Sequence, residues 1–339
     1  MKILFKIIKT GSGNDIYFKI LEGLKTQGIK ITTCYYPTIF QFFPFFLKFI
    51  NKAITADIIH SNIEYGWVFK RKNVPLVVIV HHLVFEKKFQ EYTSFSQKLF
   101  HYLIVLPNTK KSLQVADKII AVSKYTQKSV YRVFGKQKQV DVIYNGINLN
   151  IFKPIQVKAY NDNKFHLLFV GNLIKRKGID ILLKIMKVLG NNYVLYYTSG
   201  LRTKTSSKYN LPNMISLGKL SEEELVKKYN ECDALLAPSR LEGFGHQIAE
   251  AMACGKPVIT TNCSALPELI IDKKGGFLCE IDNVNDFVEK IKILSENKYL
   301  VEKMGQFNRQ RAIEKFNLKK MGKKYQRLYD KLIKINFLV

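Results

Sequence analysis

The sequence predicts an α/β fold of two domains in series, each a parallel sheet covered by helices. Three observations predict it. Short, continuous apolar runs alternate with helical stretches, as strands buried on both faces of a sheet require. The alternation breaks around 154–164, in a polar stretch, and then restarts. A chain of 339 residues is long for one core and comfortable for two.

Lys2–Ile8 reads as the first strand. Gly11-Ser12-Gly13 follows, then a helical stretch from about Asp15 to Gln27 closed by Gly28. Ile29–Tyr35, Asp57–His60, Leu76–Val80, Lys118–Val122 and Val140–Ile143 are the further strands of the first domain. Past the break come strand Phe165–Val170, helix Gly178–Leu189, and strands Tyr193–Thr198 and Ile215–Leu217. Ser221 with Glu224 forms a capping-box start for a helix to Asn230. Strand Ala234–Ala237, a helix from about Gly245, strand Pro257–Thr260 and helices from Val284 onward complete the pattern. The expected domains are therefore 1–158 and 159–317, with a last helix in 318–339 crossing back to the first domain. A hinge is expected near Pro154–Lys164 and at the start of that last helix.

Hydrophobic residues make up 47% of the chain and mean hydropathy is −0.06, a globular composition. Cys34, Cys232, Cys254, Cys263 and Cys279 lie scattered, with no C-x-x-C pair and no ligand spacing with histidine, which argues against disulfides and zinc and fits a cytoplasmic protein. The first residues lack the apolar core of a signal peptide, and no apolar run reaches the roughly 18 residues of a spanning helix. The net charge of +27 is spread over the chain: 23 Lys and Arg against 8 Asp and Glu in 1–155, and 31 against 19 in the rest. An anionic membrane, nucleic acid or a polyphosphate substrate each explains such a charge. Compositional bias toward Lys, Ile and Asn explains it as well.

The most informative segment runs from Ala237 to Thr261. A strand ends at Pro238, a glycine-bearing loop carries Glu242, and a helix opens near Gly245 with Glu250 inside it. Gly243 and Gly245 let a ligand approach the backbone. Free N–H groups at the helix start attract a diphosphate or a sugar hydroxyl. With Glu242 and Glu250 set between Pro238-Ser239 and Ala251-Met-Ala-Cys-Gly255-Lys-Pro-Val, this segment resembles glycosyltransferase family 4, the retaining group 1 family of GT-B fold. Phe169-Val-Gly171-Asn-Leu-Ile-Lys-Arg176-Lys177-Gly178, Ala116 to Thr126, Val142 to Pro154, Ser264 to Glu268 and Gly275-Gly276 carry the resemblance further. It covers nearly the whole chain and is weakest between Phe40 and Leu113.

The resemblance implies two Rossmann-like domains facing each other across a cleft, the first binding the acceptor and the second a nucleotide-sugar donor. It implies that Lys177 contacts the donor phosphates. Asn172 stands where the family often has arginine, with Arg176 beside it as a substitute. Glu242 would approach the transferred sugar, with Gly243, Phe244, Gly245 and His246 around it, and Glu250 would bind the ribose. Gly218, Lys219 and Leu220 lie where the nucleobase is usually read, and Gly11 and Gly13 form the loop facing the diphosphate. His81, ending a strand, corresponds to a histidine near the anomeric carbon; His82 stands where Asp is common, and His60 reads as structural or peripheral.

The reaction implied is transfer, with retention, from a nucleotide-diphospho-sugar to a hydroxyl of a glycan or lipid-linked acceptor in cell-surface polysaccharide or lipopolysaccharide synthesis. The sequence contains no Asp-x-Asp, so metal-independent catalysis without a cofactor is expected. The aromatic run Phe40–Ile50 reads either as a core helix or as a segment dipping into a bilayer, which would hold the protein peripherally at the inner face of the cytoplasmic membrane. A nucleic-acid-binding protein lacks a recognised module here, so no nucleic-acid partner is expected. An epimerase would not need the two glutamates, and a non-catalytic sugar-nucleotide binder would not need His81.

Overall fold

The computed structural model describes residues 1–8, 24, 29–50, 54–136, 138–158, 160, 162–199 and 211–337. The chain folds into two compact units, Met1–Gly146 with Leu318–Val339, and Ile147–Asn317. The division thus falls at 146/147, ahead of the expected 158/159, and the C-terminal helix belongs to the first unit. The reason for the earlier division lies in Ile147, which pairs with Asn317 as a parallel bridge and donates its N–H to the Phe316 carbonyl at 2.7 Å, tying it into the second unit. The two chain crossings are therefore at 146/147 and 317/318 rather than in the polar stretch 154–164.

The first unit holds six parallel strands, β1 (Lys2–Ile8), β2 (Lys30–Tyr36), β3 (Ile58–Asn62), β4 (Leu76–Val80), β5 (Lys118–Ala121) and β6 (Val140–Val142), in the order β2-β1-β3-β4-β5-β6. Every residue of β3 and β4 is buried, as expected for continuous apolar strands covered on both faces. The stretch of weakest resemblance contains a long helical run, Phe95–Phe100, a π-helical turn His101–Val105, and Leu106–Val115. The widened turn lies against Pro107, which has no N–H to give and whose ring would clash with the carbonyl four residues back. The final helix, Leu318–Phe337, buries Tyr325 and Tyr329 completely.

The second unit has β7 (Phe165–Phe169), β8 (Tyr193–Thr198), β9 (Met214–Gly218), β10 (Ala234–Ala237), β11 (Val258–Thr261) and β12 (Gly276–Cys279), all parallel, ordered β12-β11-β10-β7-β8-β9. The chain builds outward in one direction from β7 to β9, then returns to start beside β7 with β10. This reversal leaves β7 and β10 as neighbours, and beyond the carboxyl ends of two such strands is where open α/β sheets bind ligands. Ile179–Leu189 and Val284–Ser295 bury Leu182, Ile185, Phe287 and Ile291 against the sheet. The helix Glu222–Glu231 starts on the expected capping box, Ser221 accepting from the Glu224 N–H and the Glu224 carboxylate from the Ser221 N–H.

Candidate active site

The second unit brings Arg176, Lys177, Glu242, Gly243, Phe244, Gly245, His246 and Glu250 together at the carboxyl ends of β7 and β10. Two loops make this possible. After β7 the chain turns through Lys175–Lys177 and then Gly178, whose φ of 79° is left-handed. After β10 it passes Ser239 and Arg240 to Glu242. The Arg240 N–H donates to the Arg176 carbonyl at 2.9 Å, and Arg176 Nη1 donates to the Leu241 carbonyl at 2.7 Å. Arg240 itself clamps Asp180 through two hydrogen bonds of 2.8 and 2.7 Å and reaches Asp282 at 2.7 Å. These bonds fix the two loops against each other.

Within that frame Lys177 Nζ pairs directly with Glu242 Oε1. Gln247 Nε2 donates to the same oxygen at 3.1 Å, and Arg176 Nη1 lies 3.9 Å from Glu242 Oε2. Glu242 is buried and the Lys177 side chain nearly so, at 13% exposure. Burial pushes the Glu242 carboxyl up, but the Lys177 and Arg176 charges and the hydrogen bonds outweigh it and hold the group down at about 2. Burial is also the main influence on Lys177 and lowers its pKa, with Glu242 acting in the opposite sense. The site is therefore a desolvated ion pair with one further cation beside it.

The backbone at Glu242 is held as well, its N–H donating to Ser264 Oγ at 3.0 Å. Gly245 caps the helix His246–Ala253 at φ 100°, a conformation that L side chains rarely adopt. This glycine lets the chain turn from loop to helix. Phe244 is buried against Phe316, with ring centroids 5.7 Å apart. One turn on, Glu250 is buried, and Tyr229 Oη lies 3.1 Å from Glu250 Oε2 and 3.1 Å from the Gln247 carbonyl. A hydroxyl has one proton, and the carboxylate is the stronger acceptor. Asn172, after β7, has a buried Oδ1 with no hydrogen-bond partner among the described residues. Gly218 ends β9 at φ 65°, and its carbonyl accepts from the Ser199 N–H at 2.9 Å; Lys219 and Leu220 follow the end of that strand.

His81 lies in the first unit, immediately after β4. Burial, then the charge of neighbouring His82, lowers its pKa to about 3, so the imidazole is neutral at pH 7. His82 is exposed and stacks on Phe89 at 5.3 Å. His60 is fully buried, stacks on Phe5 at 4.8 Å and meets Tyr329 Oη at 2.6 Å through Nδ1; it fastens the last helix to the sheet. Gly11 and Gly13 lie outside the described residues. Among the described residues no group of three or more His, Cys, Asp and Glu side chains is arranged to hold a metal ion. Gln247, Tyr229 and Arg240 join the site without having been singled out in the sequence, and Ser264 joins it as the first residue of a stretch that carried the resemblance. Gln247 carried a signal too, lying five residues from Glu242 at the helix start.

Comparison with known proteins adds the family. The profile described as Glycosyltransferase Family 4 matches residues 22–151, and that of Glycosyl transferases group 1 matches residues 151–311. An uncharacterized glycosyltransferase of Methanocaldococcus jannaschii is 36% identical over 221 residues, 64% of this chain and 60% of that protein. The N,N'-diacetylbacillosaminyl-diphospho-undecaprenol alpha-1,3-N-acetylgalactosaminyltransferase of Campylobacter jejuni is 28% identical over 244 residues, 66% of this chain and 63% of that protein. The chain thus spans under two thirds of the length of these relatives. The Anabaena HepE structure in complex with UDP and glucose superposes with a TM-score of 0.76 at 19% identity, covering 97% of this chain and 99% of that one, a likeness of fold.

Proposed function

The chain belongs to the group 1, family 4 glycosyltransferases of GT-B fold, and from that membership we propose that it transfers a sugar from a nucleotide-diphospho-sugar to a hydroxyl of a glycan or lipid-linked acceptor, with retention. The observation that carries the proposal is the buried Lys177–Glu242 pair at the carboxyl ends of β7 and β10, beside a glycine-capped helix start. A carboxylate held ionised suits sugar hydroxyls, which donate. A buried ammonium with Arg176 next to it suits a diphosphate, and its worth grows where water is excluded. Glu250 is set to accept ribose hydroxyls. The names of the relatives agree with this: HepE was crystallised with UDP and glucose, and the Campylobacter enzyme is named for a diphospho-undecaprenol acceptor.

In the proposed step the acceptor oxygen bonds to the anomeric carbon as the bond from that carbon to the diphosphate oxygen breaks. The acceptor proton passes to the departing diphosphate on the same face. Lys177 and Arg176 stabilise the charge that develops on the leaving group. Neutral His81 serves as a hydrogen-bonding group rather than an acid. The test is a panel of UDP-, GDP- and ADP-sugars: one family of donors raises the melting temperature and is slowly hydrolysed. No stabilisation and no hydrolysis with any of them would overturn the reading.

Two further results are expected. Turnover persists in excess EDTA, because cationic side chains rather than an Asp-x-Asp-bound metal hold the diphosphate; abolition by EDTA with recovery on adding Mn²⁺ or Mg²⁺ would refute this. Tyr229→Phe, which frees the Glu250 carboxylate from one hydrogen bond, raises the donor KM about three- to tenfold with kcat nearly unchanged. An unchanged KM would make Tyr229 a packing residue only.

A further inference from the structure

We propose that the first unit carries a docking surface for an anionic lipid bilayer, built where the turns at 38–50 meet the helical run at 95–115. The helical run exposes Phe95, Leu99 and Leu103, spaced four residues apart and therefore on one helix face. Its other side buries Val105, Thr109 and Ser112. Phe95 is 81% exposed and Leu103 63%. The turn segment is no core helix. It forms two 3₁₀ turns and one short helix, anchored by buried Pro44 and Leu47, and it presents a row of phenylalanines outward, with Phe49 79% exposed. Phe42 packs on Phe100 at 5.0 Å between ring centroids, so the two segments form one continuous apolar surface. A contiguous apolar patch of this kind marks an interaction site.

Charge identifies the occupant. Neither 37–50 nor 94–115 contains an Asp or Glu. Lys48 from the turns and Lys111 from the helix both bring their ammonium groups over the Trp67 ring, at 4.8 and 4.7 Å from its centroid. Two cations held around one indole make a local positive site at which an anion is favoured. Lipid phosphates supply that anion at the level where the phenylalanines enter the acyl boundary, the arrangement of an interfacial segment. The excess of basic residues in 1–155 adds long-range attraction. A second protein copy, equally basic, would have to overcome mutual repulsion. Among the described residues no helix is long and apolar enough to cross a membrane, so the mode is surface docking.

The full chain is floated with phosphatidylglycerol-containing vesicles and with phosphatidylcholine vesicles, without sugar nucleotide, so that the outcome is independent of the transfer reading. The wild type floats with the anionic vesicles at low salt and little with the neutral ones. Lys48→Glu/Lys111→Glu loses at least about tenfold in anionic partitioning. Phe49→Ser/Phe95→Ser/Leu103→Ser, all at exposed positions, loses at least about tenfold and retains only binding that high salt abolishes. Three outcomes overturn the proposal: wild type that stays soluble at low salt, variants that partition like wild type, or a wild-type dimer in sedimentation that the aromatic variant dissolves into monomers with vesicle binding unchanged.

Discussion

Glu242→Gln and Lys177→Ala each lower turnover about 100- to 1000-fold, the loss typical of removing one preorganised charge from a desolvated site. The two variants differ in stability. Glu242→Gln leaves the Lys177 ammonium buried beside Arg176 without its carboxylate, and breaking a buried pair in this way costs about 3–5 kcal/mol. Lys177→Ala leaves Glu242 with Arg176 and the Gln247 amide, so part of its support remains. The double variant Lys177→Met/Glu242→Gln removes both charges and recovers stability without recovering turnover. That pattern separates chemistry from folding. Near-normal turnover in both single variants, with an assigned donor and acceptor, would remove the pair from the site.

The same pair sets a pH dependence. Glu242 titrates at about 2 in the folded chain against an ordinary value of 4.5. Its folded pKa is depressed, so its contribution to stability is fully present above the ordinary value and is lost as pH falls toward about 2. The stability gap between wild type and Glu242→Gln therefore closes between about pH 4.5 and 2. A gap that stays constant through that window would mean that the Glu242 charge does not stabilise the fold.

Much of this site was legible because its residues sit on a strand–loop–helix unit whose spacing is local. Glu242, Gly245 and Glu250 lie within nine consecutive positions of the sequence, and the continuous apolar strands on either side fix where the loop emerges. The partners that hold them are distant in sequence. Arg240 finds Asp180 sixty positions away because β10 returns to lie beside β7, and Tyr229 finds Glu250 twenty-one away across the helices before and after β10. Nothing local encodes that adjacency. β12 escaped notice since Gly276-Phe-Leu-Cys279 is short and opens on glycines. The helical run from Phe95 was hidden by aromatic residues and Pro107. Its start did carry a readable signal, the Ser94–Gln97 capping box that the structure forms in full. Phe40–Ile50 could not be decided from hydrophobicity, because a core helix and a bilayer-facing segment have the same composition.

Gly178→Ala is expected to destabilise the second unit by about 3 kcal/mol or more and to abolish most turnover in the molecules that still fold. Two effects add. The backbone at Gly178 is left-handed, φ 79° and ψ 28°, which costs a residue bearing a Cβ about 1–2 kcal/mol. The added Cβ would also lie 2.1 Å from the Pro238 carbonyl oxygen and 2.9 Å from its carbon. Those are backbone atoms at the end of β10, so no side chain can swing aside. The loop carrying Lys177 must instead retreat from the loop carrying Glu242, the movement that the ion pair least tolerates. Gly190→Ala is the control for turnover. Its φ of 73° comes with ψ −161°, a region kept almost to glycine, but nothing lies within 4 Å of its added Cβ, so it meets backbone strain alone, away from the loops that carry Lys177 and Glu242. Calorimetry should place the transition of Gly178→Ala about 6–12 °C below wild type. Turnover per folded molecule should fall in Gly178→Ala and stay near wild type in Gly190→Ala. Equal turnover per folded molecule in the two variants would mean that the close approach of Gly178 to Pro238 does not hold the two loops in place.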